Sequence, residues 1–405
     1  MQQHTQAGDE LLIRINAEQQ GGRVASTTVA MPPAVTPAAL VIGLEADAAV
    51  ARVSQLGTHS PHAHAQALSM ACAAALGLPP ADPGSQLATE RALAAEAVDA
   101  HLHRLLIDWP LSLDMDARHN RYAEFRRRLH AKIDPATYFE LGGDVLDLVA
   151  REMLAGFFNR IRLPHNLAEF IDCADTGGIL GAVLSELISL GPSQPQGQRA
   201  VPLLGTLSAA AWSAAVGNWP SAEFLARPLF ANEPAETGPL ARHAASPLVR
   251  LLLDRGHRLS ARLFCKAIDL ADCASRMRYP FTDDVPPLID AVQVVAGVGL
   301  ARVITARGVL LCWVRMEAEL IADCVVIPAS AWNFHPQGAF CSEACSAEVE
   351  TQTAALRRLN LLALALDPSL PCEIVLTEAS VPLTTSGADT RRQNKAAARA
   401  PRNRS

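Results

Sequence analysis

The spacing of hydrophobic and polar residues divides the chain into a long helical middle and two ends that favour β-strands. Residues 10–30 hold two alternating stretches joined by Gly21-Gly22, which is the pattern of a β-hairpin with a glycine turn. Between residues 38 and 280, apolar residues recur three and four positions apart, as in helices that bury one face. Residues 308–316 and 320–327 are rich in β-branched side chains and predict a C-terminal β-hairpin.

Glycine and proline separate the helical middle into segments. The predicted helices cover residues 65–76, 86–107, 142–158, 168–190, 239–254 and 260–276. We expect the first to end at Gly77 and the second at Trp109-Pro110, because glycine commonly follows a helix and proline interrupts one. Residues 203–216 fit either a strand or a short helix. The pattern as a whole predicts an α+β fold that is predominantly α-helical.

These elements suit one large domain over residues 1–390. Its parts are an N-terminal hairpin at 10–30, a helical body at 38–280 and a β-containing C-terminal part at 290–376. Residues 391–405 hold six of the 35 basic residues and none of the 41 acidic ones, which predicts a disordered basic tail or, as the alternative, a segment that docks to an acidic partner. The remainder carries a net charge of −12, which argues against nucleic acid as a partner because phosphates require a basic face.

The composition is that of a folded globular protein, with 50% hydrophobic residues, 19% charged residues and a mean hydropathy of +0.14. The longest uninterrupted apolar run, residues 70–78, is well short of the roughly 20 residues that cross a bilayer. The N-terminus lacks the basic and apolar regions of a secretory signal. Nine scattered cysteines do not suggest a disulfide framework. We therefore expect a cytoplasmic protein with no membrane partner.

Histidines supply the densest cluster of candidate metal ligands. His59, His62 and His64 have spacings at which imidazoles can bind zinc or nickel, although loop histidines are more often solvated. Cys341 and Cys345, with a histidine upstream at position 335, form a weaker candidate because structural zinc sites use four closely paired ligands. The chain has no glycine-rich phosphate loop and no nucleophile motif of a hydrolase. A conventional kinase or hydrolase therefore has little support.

One cysteine stands out by its position. The buried run 361–366 stops at Asp367-Pro368 and leads to Cys372. A thiolate at the end of a buried segment is placed to give one soft ligand to an interior metal. The simpler interpretation is a small buried hydrophobic side chain, because free cysteine is among the most buried residue types.

Four blocks of the sequence, taken in order, resemble the large subunits of nickel-iron hydrogenases. Residues 41–77 resemble the region in which two metal-binding cysteines precede a histidine and an alanine-rich helix. Residues 237–242 contain a Gly-Pro-Leu-Ala-Arg segment, and residues 299–333 resemble the Arg-Gly strand and hairpin that close in Pro-x-x-Trp-Asn, here with one extra residue. Residues 367–372 resemble the C-terminal Asp-Pro-Cys-x-x-Cys. The resemblance implies a large-subunit-like fold.

The chain departs from that family at the four thiolates that hold the two metals. The first cysteine pair falls on residues without thiols, which are Gly57 and Ser60 or, in a register shifted by one, Leu56 and His59. In the second pair the first position is Ser369, and only Cys372 keeps its thiol; the family's terminal histidine is Val375 here. The nickel of a nickel-iron centre requires several deprotonated sulfurs. The resemblance therefore implies neither nickel nor hydrogen oxidation.

This loss of ligands resembles the HupK/HoxV family of hydrogenase assembly proteins. The resemblance implies a non-catalytic scaffold or chaperone that transiently holds iron with cyanide and carbonyl ligands before transfer to the large-subunit precursor. The implied partners are that precursor, a HypC-type chaperone and a HypD-type iron-sulfur protein. It also implies Arg307 as a hydrogen-bond donor to cyanide, Cys372 as a metal ligand, and His59 or His64 as a second ligand or proton donor.

Two features of the resemblance stay open at the level of sequence. The hydroxyl of the Trp-Asn block is Ser330 if the blocks are aligned on Trp-Asn, whereas Ala329 stands there if they are aligned on proline. A metal-free relative that only binds hydrogenase or maturation partners is the main alternative, and it predicts Cys372 packed in an apolar pocket away from Arg307. The third possibility is an unrelated zinc enzyme that uses the three histidines at positions 59, 62 and 64.

Overall fold

The computed structural model describes residues 12–32, 38–55, 59–131, 134–160, 162–194, 199–281, 285–345 and 351–378. The strands within this part of the chain are β1 (Ile13–Gln20), β2 (Arg23–Ala30), β3 (Ile289–Val295), β4 (Val298–Thr305), β5 (Gly308–Glu317), β6 (Leu320–Ile327) and β7 (Cys372–Glu378). They form a three-stranded sheet in the order β2-β1-β7 and a four-stranded sheet in the order β3-β4-β5-β6.

The three-stranded sheet joins the two ends of the described chain. Strands β1 and β2 form the predicted N-terminal hairpin, and Gly21 and Gly22 turn it with φ angles of 60° and 77°, which glycine adopts without strain. Strand β7 lies parallel to β1, and Cys372 is the residue opposite Ile13. This pairing fixes where the loop that precedes Cys372 can lie.

The four-stranded sheet confirms the predicted C-terminal hairpin, which is β5 and β6. Its strands are all antiparallel, and the tight turn between β4 and β5 holds Ala306 and Arg307. One helix packs so closely on this sheet that a Cβ atom at Gly299 would lie 2.0 Å from the carbonyl oxygen of Ala71. Only glycine permits that approach.

Helices make up most of the described chain. In chain order they are α1 (Ala38–Val41), α2 (Ala46–Ser54), α3 (Pro61–Ala75), α4 (Pro83–His103), α5 (Trp109–Ser112), α6 (His119–Leu129), α7 (Pro135–Asp147), α8 (Ala155–Phe158), α9 (Leu167–Asp175), α10 (Ile179–Ser189), α11 (Ala209–Val216), α12 (Ala222–Ala226), α13 (Pro239–His243), α14 (Pro247–Asp254), α15 (Arg258–Arg278), α16 (Ala329–Asn333), α17 (Ala339–Ala344) and α18 (Gln352–Leu366). Helix α15 is buried along most of its length, so its polar side chains reach the interior.

The start of α3 differs from the prediction. The helix begins at Pro61 rather than residue 65, so His62 and His64 lie in its first turn and not in a loop. Proline suits this first position because its φ is already helical and its missing N–H would have no partner there. The carboxylate of Glu96 then accepts from the backbone N–H groups of His62 and Ala63 at 2.7 and 3.1 Å.

The end of α4 also differs from the prediction, because the chain continues as a helix through Trp109-Pro110 to Ser112. A wide turn of π-helix at Arg104–Asp108 links α4 to α5, and the N–H of Trp109 reaches back to the carbonyl of Arg104. A wide turn changes the backbone hydrogen-bond pattern just where proline has no N–H to give. It also turns Arg104 toward the interior.

The remaining predictions divide into those that the structure resolves and those outside it. Residues 203–216 contain a helix, α11, and no strand; the segment 168–190 is two helices separated at Gly177 and Gly178. The tail 391–405 and the positions Leu56 and Gly57 lie outside the described residues. That residues 1–390 form one domain stays a prediction. In the part of the chain that the structure describes, no helix is both long and apolar enough to cross a membrane.

Candidate functional site

A buried carboxylate lies where α18 ends. Asp367 follows the helix in the left-handed conformation, with φ of 54°, and its side chain is 3% exposed. Its two oxygens face three cations: Lys266 Nζ at 2.6 Å, Arg104 Nε at 2.9 Å and Arg307 Nε at 3.3 Å. Burial alone would raise the pKa of Asp367, but the charges of Lys266, Arg307 and Arg104 hold it far below its ordinary value. Asp367 is therefore ionised.

Three separate elements bring these cations together. Arg104 comes from the wide turn after α4, Lys266 from the buried face of α15, and Arg307 from the turn between β4 and β5. Arg104 also donates from Nη1 to Asp108 at 2.6 Å, on the more exposed side of the cluster. Burial lowers the pKa of Lys266, and its contact with Asp367 opposes that shift.

The Arg307 turn is held by the segment that precedes α13. Gly308 has φ of 133°, and the Oγ1 atom of Thr237 accepts from the N–H of Val309 at 3.1 Å. A Cβ atom on Gly238 would lie 3.0 Å from the carbonyl oxygen of Arg307. These two glycine-containing segments therefore fix each other, and with them the position of the guanidinium.

Two side chains of α16 connect that segment to the loop after α18. Asn333 accepts from the N–H of Thr237 at 2.9 Å and donates to the carbonyl of Leu366 at 3.1 Å. The Oγ atom of Ser330 accepts from the N–H of Ser369 at 3.1 Å and also contacts the hydroxyl of Ser369. The blocks at residues 237–242, 299–333 and 367–372, which are separate in the sequence, thus meet at one place.

Arg307 has unused hydrogen-bonding capacity. Its side chain is only 7% exposed, yet its Nε and Nη1 atoms are buried without a hydrogen-bond partner among the residues that the structure describes. The contact from Nε to Asp367 is an ion pair without hydrogen-bond geometry. Buried N–H groups without acceptors are costly, so this guanidinium has the capacity to donate to an additional acceptor, such as water or a ligand.

The two histidines near the site are neutral. His59 is exposed as a residue, but partial burial of its ring and the nearby charges of Arg307 and Arg104 lower its pKa. Burial likewise lowers the pKa of His64, against the opposing effect of the Ser60 carbonyl. His64 Nδ1 lies 2.7 Å from that carbonyl, which can only accept, so Nδ1 carries the proton and Nε2 is a free acceptor.

Cys372 is a thiol rather than a thiolate. It is half-buried as the first residue of β7, and its Sγ lies 4.0 Å from the carbonyl of Leu370. Burial raises the pKa of Cys372 to about 12, although the charge of Arg104 acts in the opposite direction. Ligation by this sulfur would therefore require removal of its proton against the effect of burial.

A second group of titratable side chains lies deeper among the helices. In the described chain, one set of three candidate ligand atoms lies within 4.8 Å of one another, and it comprises His101, Asp269 and Cys273. Asp269 already accepts from His101 at 2.7 Å, from His243 at 2.9 Å and from Arg242 through both oxygens. This carboxylate is saturated, and a metal ion there would have to displace Arg242, so we interpret the group as a structural hydrogen-bond hub.

Comparison with known proteins finds relatives both by sequence and by structure. No protein-family model matches the chain. The hydrogenase expression/formation protein HupV of Azotobacter chroococcum is 26% identical over 342 residues, which are 84% of this chain and 91% of HupV. HoxV of Cupriavidus necator is 25% identical over 354 residues, which are 84% of this chain and 90% of HoxV. HupK of Rhizobium leguminosarum is 32% identical over 148 residues, which are 36% of this chain and 39% of HupK.

The chain is similar to the hydrogenase expression/formation proteins HupV and HoxV over 84% of its length. Its fold is that of nickel-iron hydrogenase large subunits. The Ni-Fe-Se hydrogenase from D. vulgaris Hildenborough superposes with a TM-score of 0.58 at 14% identity, over 87% of this chain and 94% of the hydrogenase chain. The enzyme from Desulfomicrobium baculatum gives 0.59 at 14% identity, over 88% and 95%. The predicted large-subunit-like α+β fold is therefore confirmed.

The structure brings some of the predicted site residues together and leaves others apart. Arg307 stands beside the buried carboxylate, and Ser330 rather than Ala329 provides the hydroxyl at the loop after α18. His59 and His64 lie within electrostatic range of Arg307. Cys372 is near enough to Arg104 to be affected by its charge, but no hydrogen bond joins it to Arg307 in the described structure. Their roles toward a metal stay predictions.

Two charged residues of the candidate site were missed in the sequence, namely Arg104 and Lys266, which complete the cation cluster. Ser369, identified in the sequence as the position of a missing thiolate, contacts Ser330. The available signal for Lys266 was a lysine on the apolar face of a predicted core helix, which requires a buried partner. The zinc alternative gains no support, because the ring nitrogens of His59, His62 and His64 do not form a mutually close set in the described chain.

Proposed function

We propose that this protein is a non-catalytic scaffold in the maturation of nickel-iron hydrogenase, on which iron with cyanide and carbonyl ligands is held transiently before transfer to the large-subunit precursor. The names of its relatives, hydrogenase expression/formation proteins, support a role in maturation. The fold of hydrogenase large subunits, which this chain shares, supports a site that can hold the same iron group as the large-subunit precursor.

The observation that carries the proposal is the unsatisfied guanidinium of Arg307. Its Nε and Nη1 atoms are buried without acceptors, beside an ionised Asp367 and close to neutral imidazoles. Cyanide bound to iron remains an acceptor of charge-assisted hydrogen bonds, and a fixed guanidinium fork is suited to donate them. The Ser330 and Ser369 hydroxyls add two more polar groups at the loop that follows Asp367.

The donor set favours weak holding of the iron. Ser369 stands where the resemblance places a thiolate, and burial keeps Cys372 protonated, with a pKa of about 12. His64 offers a free Nε2, and His59 is neutral. One cysteine and imidazoles bind iron less firmly than a set of thiolates, and they lack the several deprotonated sulfurs of a nickel-iron centre. A cargo held this loosely can be passed to a partner.

The proposed partners follow from the same role. The cargo would leave for the large-subunit precursor, whose fold this chain shares, and would arrive with the help of a HypC-type chaperone and a HypD-type iron-sulfur protein. A metal-free relative that only binds these partners is the second candidate. It is favoured by one observation, the neutral and half-buried thiol of Cys372 that has no hydrogen bond with Arg307 in the described structure.

Infrared spectroscopy tests the proposal. Metal-bound cyanide and carbonyl absorb where the polypeptide is nearly silent, so protein purified anaerobically from its native host should show these bands. We expect Arg307→Lys to shift the cyanide bands and Cys372→Ala to remove or weaken all bands. Cys345→Ala is the matched control, since Cys345 is also half-buried but contacts Thr27. Absence of bands from wild type that still binds the precursor would support the metal-free alternative.

A further inference from the structure

One end of the four-stranded sheet carries a concentration of exposed hydrophobic side chains. It is the end opposite the Arg307 turn, where the β3–β4 and β5–β6 hairpins turn and where helix α1 and the loop after α3 adjoin them. The side chains are Leu40, Ile42, Leu76, Leu78, Val295 and Leu320, which are six of the 15 exposed large hydrophobic side chains in the described chain. We call these six residues the sheet-end surface. Clustering of this kind marks a site of interaction, whereas single exposed hydrophobic residues need no partner.

Backbone hydrogen bonds hold the four segments of the sheet-end surface side by side. The N–H of Gly43, after α1, donates to the carbonyl of Ile321 at 2.8 Å. The N–H of Gly297, in the β3–β4 turn, donates to the carbonyl of Ala75 at 3.2 Å, and the carbonyl of Gly297 accepts from the N–H of Met316 at 2.8 Å. The six side chains therefore stand on one continuous stretch of fixed main chain.

The sheet-end surface is bordered by negative charge. Four exposed carboxylates belong to the same segments, namely Glu45, Asp47, Glu317 and Glu319. None of them forms an ion pair with a residue that the structure describes. One guanidinium, that of Arg52, stands among these segments and donates to the carbonyl of Leu40, so four carboxylates and one cation leave a net charge of −3. The nearby Arg315 and Asp323 are opposite each other on β5 and β6, and their charges cancel.

The chain itself contains a segment of complementary charge. Residues 391–405 hold six basic residues and no acidic one, with alanines at positions 396–398 and 400 between the bases. The last described residue is Glu378, and the 13 residue steps from 378 to 391 can extend over about 45 Å. That length is about twice the radius of gyration of roughly 21 Å that a folded chain of this size has. The basic segment can therefore reach the sheet-end surface of its own chain.

From this complementarity we infer that residues 391–405 dock on the sheet-end surface of the same chain. The basic side chains pair with the carboxylates at its border, and the alanines between them cover part of the hydrophobic side chains. A second copy of the surface is a poorer occupant, because both copies present the same negative charge. The docked segment lies one strand length, roughly 25 Å, from the Arg307 turn and does not cover the candidate site. The inference does not depend on the proposed scaffold role.

Photo-crosslinking in the full-length chain tests this docking. A benzophenone amino acid replaces Ala397, in the middle of the basic segment, and irradiation at low ionic strength is followed by mass spectrometry of the cross-linked peptides. We expect cross-links within one chain to residues 40–47, 76–80, 295–297 or 317–320. Glu317→Gln with Glu319→Gln removes two carboxylates and should lower the yield about threefold or more. Salt at about 1 M should also lower it, because the Debye length shrinks from about 10 Å to about 3 Å.

Asp114→Asn with Asp116→Asn is the matched control. These two carboxylates are exposed and have the same spacing as Glu317 and Glu319, but they precede the arginine-rich helix α6 and lie outside the sheet-end surface. The control should leave the yield unchanged. Wild-type cross-links that go to other surfaces, or only to a second chain, overturn the inference, and so does a yield that Glu317→Gln with Glu319→Gln leaves unchanged. The cross-linking requires no iron, so none of these results affects the infrared test for iron-bound cyanide and carbonyl.

Discussion

Replacement of Asp367 by asparagine removes the charge at the centre of the site and little else. Asparagine has nearly the same shape and tolerates the left-handed conformation that Asp367 adopts, with φ of 54°. Arg104 keeps Asp108 as a partner, whereas Lys266 loses the only carboxylate within 4.0 Å of it in the described structure. A buried ammonium without a counter-ion is the main consequence.

The size of the effect follows from Lys266. Breaking a buried ion pair by removing one partner costs about 3–5 kcal/mol. Lys266 can instead become neutral by losing its proton. From an ordinary lysine pKa of about 10.4, this deprotonation costs about 4.6 kcal/mol at pH 7, at 1.36 kcal/mol for each pH unit. Both limits give a loss of about 3–5 kcal/mol in the free energy of unfolding.

Urea unfolding followed by circular dichroism measures this loss. Asp114→Asn is the matched control, because Asp114 has φ of 59° and is exposed, and it should change stability by less than about 0.5 kcal/mol. Because the pKa of Asp367 is lowered in the folded protein, its contribution is present above a pH of about 4 and is lost as the pH falls further. The difference between wild type and Asp367→Asn should therefore shrink in acid. A loss at pH 7 no larger than that of Asp114→Asn would refute the reasoning.

Three further predictions concern single groups. Burial raises the pKa of Glu96 to about 7, so its ionisation makes folding less favourable as the pH rises from about 4.5 to 7; Glu96→Gln should abolish this decline in unfolding measurements across that range, and an unchanged slope would contradict it. Gly308→Ala should lower the free energy of unfolding by roughly 2 kcal/mol or more, because φ is 133° at this position and a Cβ atom would lie 2.6 Å from the side chain of Thr237. The control Gly205→Ala, at a position with open space around it, should not lower it. The Cys372 thiol, with a pKa of about 12, should react with iodoacetamide about tenfold faster for each pH unit between 8 and 10, and a rate that levels off below pH 9 would exclude the proposed burial.

Local patterns predicted the elements that depend on local chemistry. The hairpin at Gly21-Gly22 follows from two glycines between alternating strands, and the β5–β6 hairpin from two β-branched stretches close in sequence. The parallel pairing of β7 with β1 was not predictable in this way, because it joins residues such as Ile13 and Cys372 that lie at opposite ends of the described chain. The spacing of hydrophobic residues and the composition of a strand carry no information on which distant strand pairs with it.

The residues of the candidate site likewise divide into those that local sequence motifs indicate and those that only the folded structure brings together. Arg307, Ser330 and the Asp367 loop entered through motifs that resemble the large subunits, whereas Lys266 and Arg104 have no motif and are recognised only once their common partner is in place. The predicted start of α3, residue 65, was four residues too late, although proline, here Pro61, is favoured in a first helical turn. The protonated state of Cys372 follows from burial in three dimensions, which the sequence around it does not specify.

Transfer of iron is the measurement that tests the scaffold role most directly. The protein, isolated anaerobically with labelled iron and its infrared bands, would be mixed with the iron-free large-subunit precursor, and both would be separated and analysed for label and bands. The account predicts that the label and the cyanide and carbonyl bands move together to the precursor, and that Arg307→Lys accumulates less cargo to transfer. Protein that binds the precursor but never carries labelled iron with diatomic ligands would contradict it.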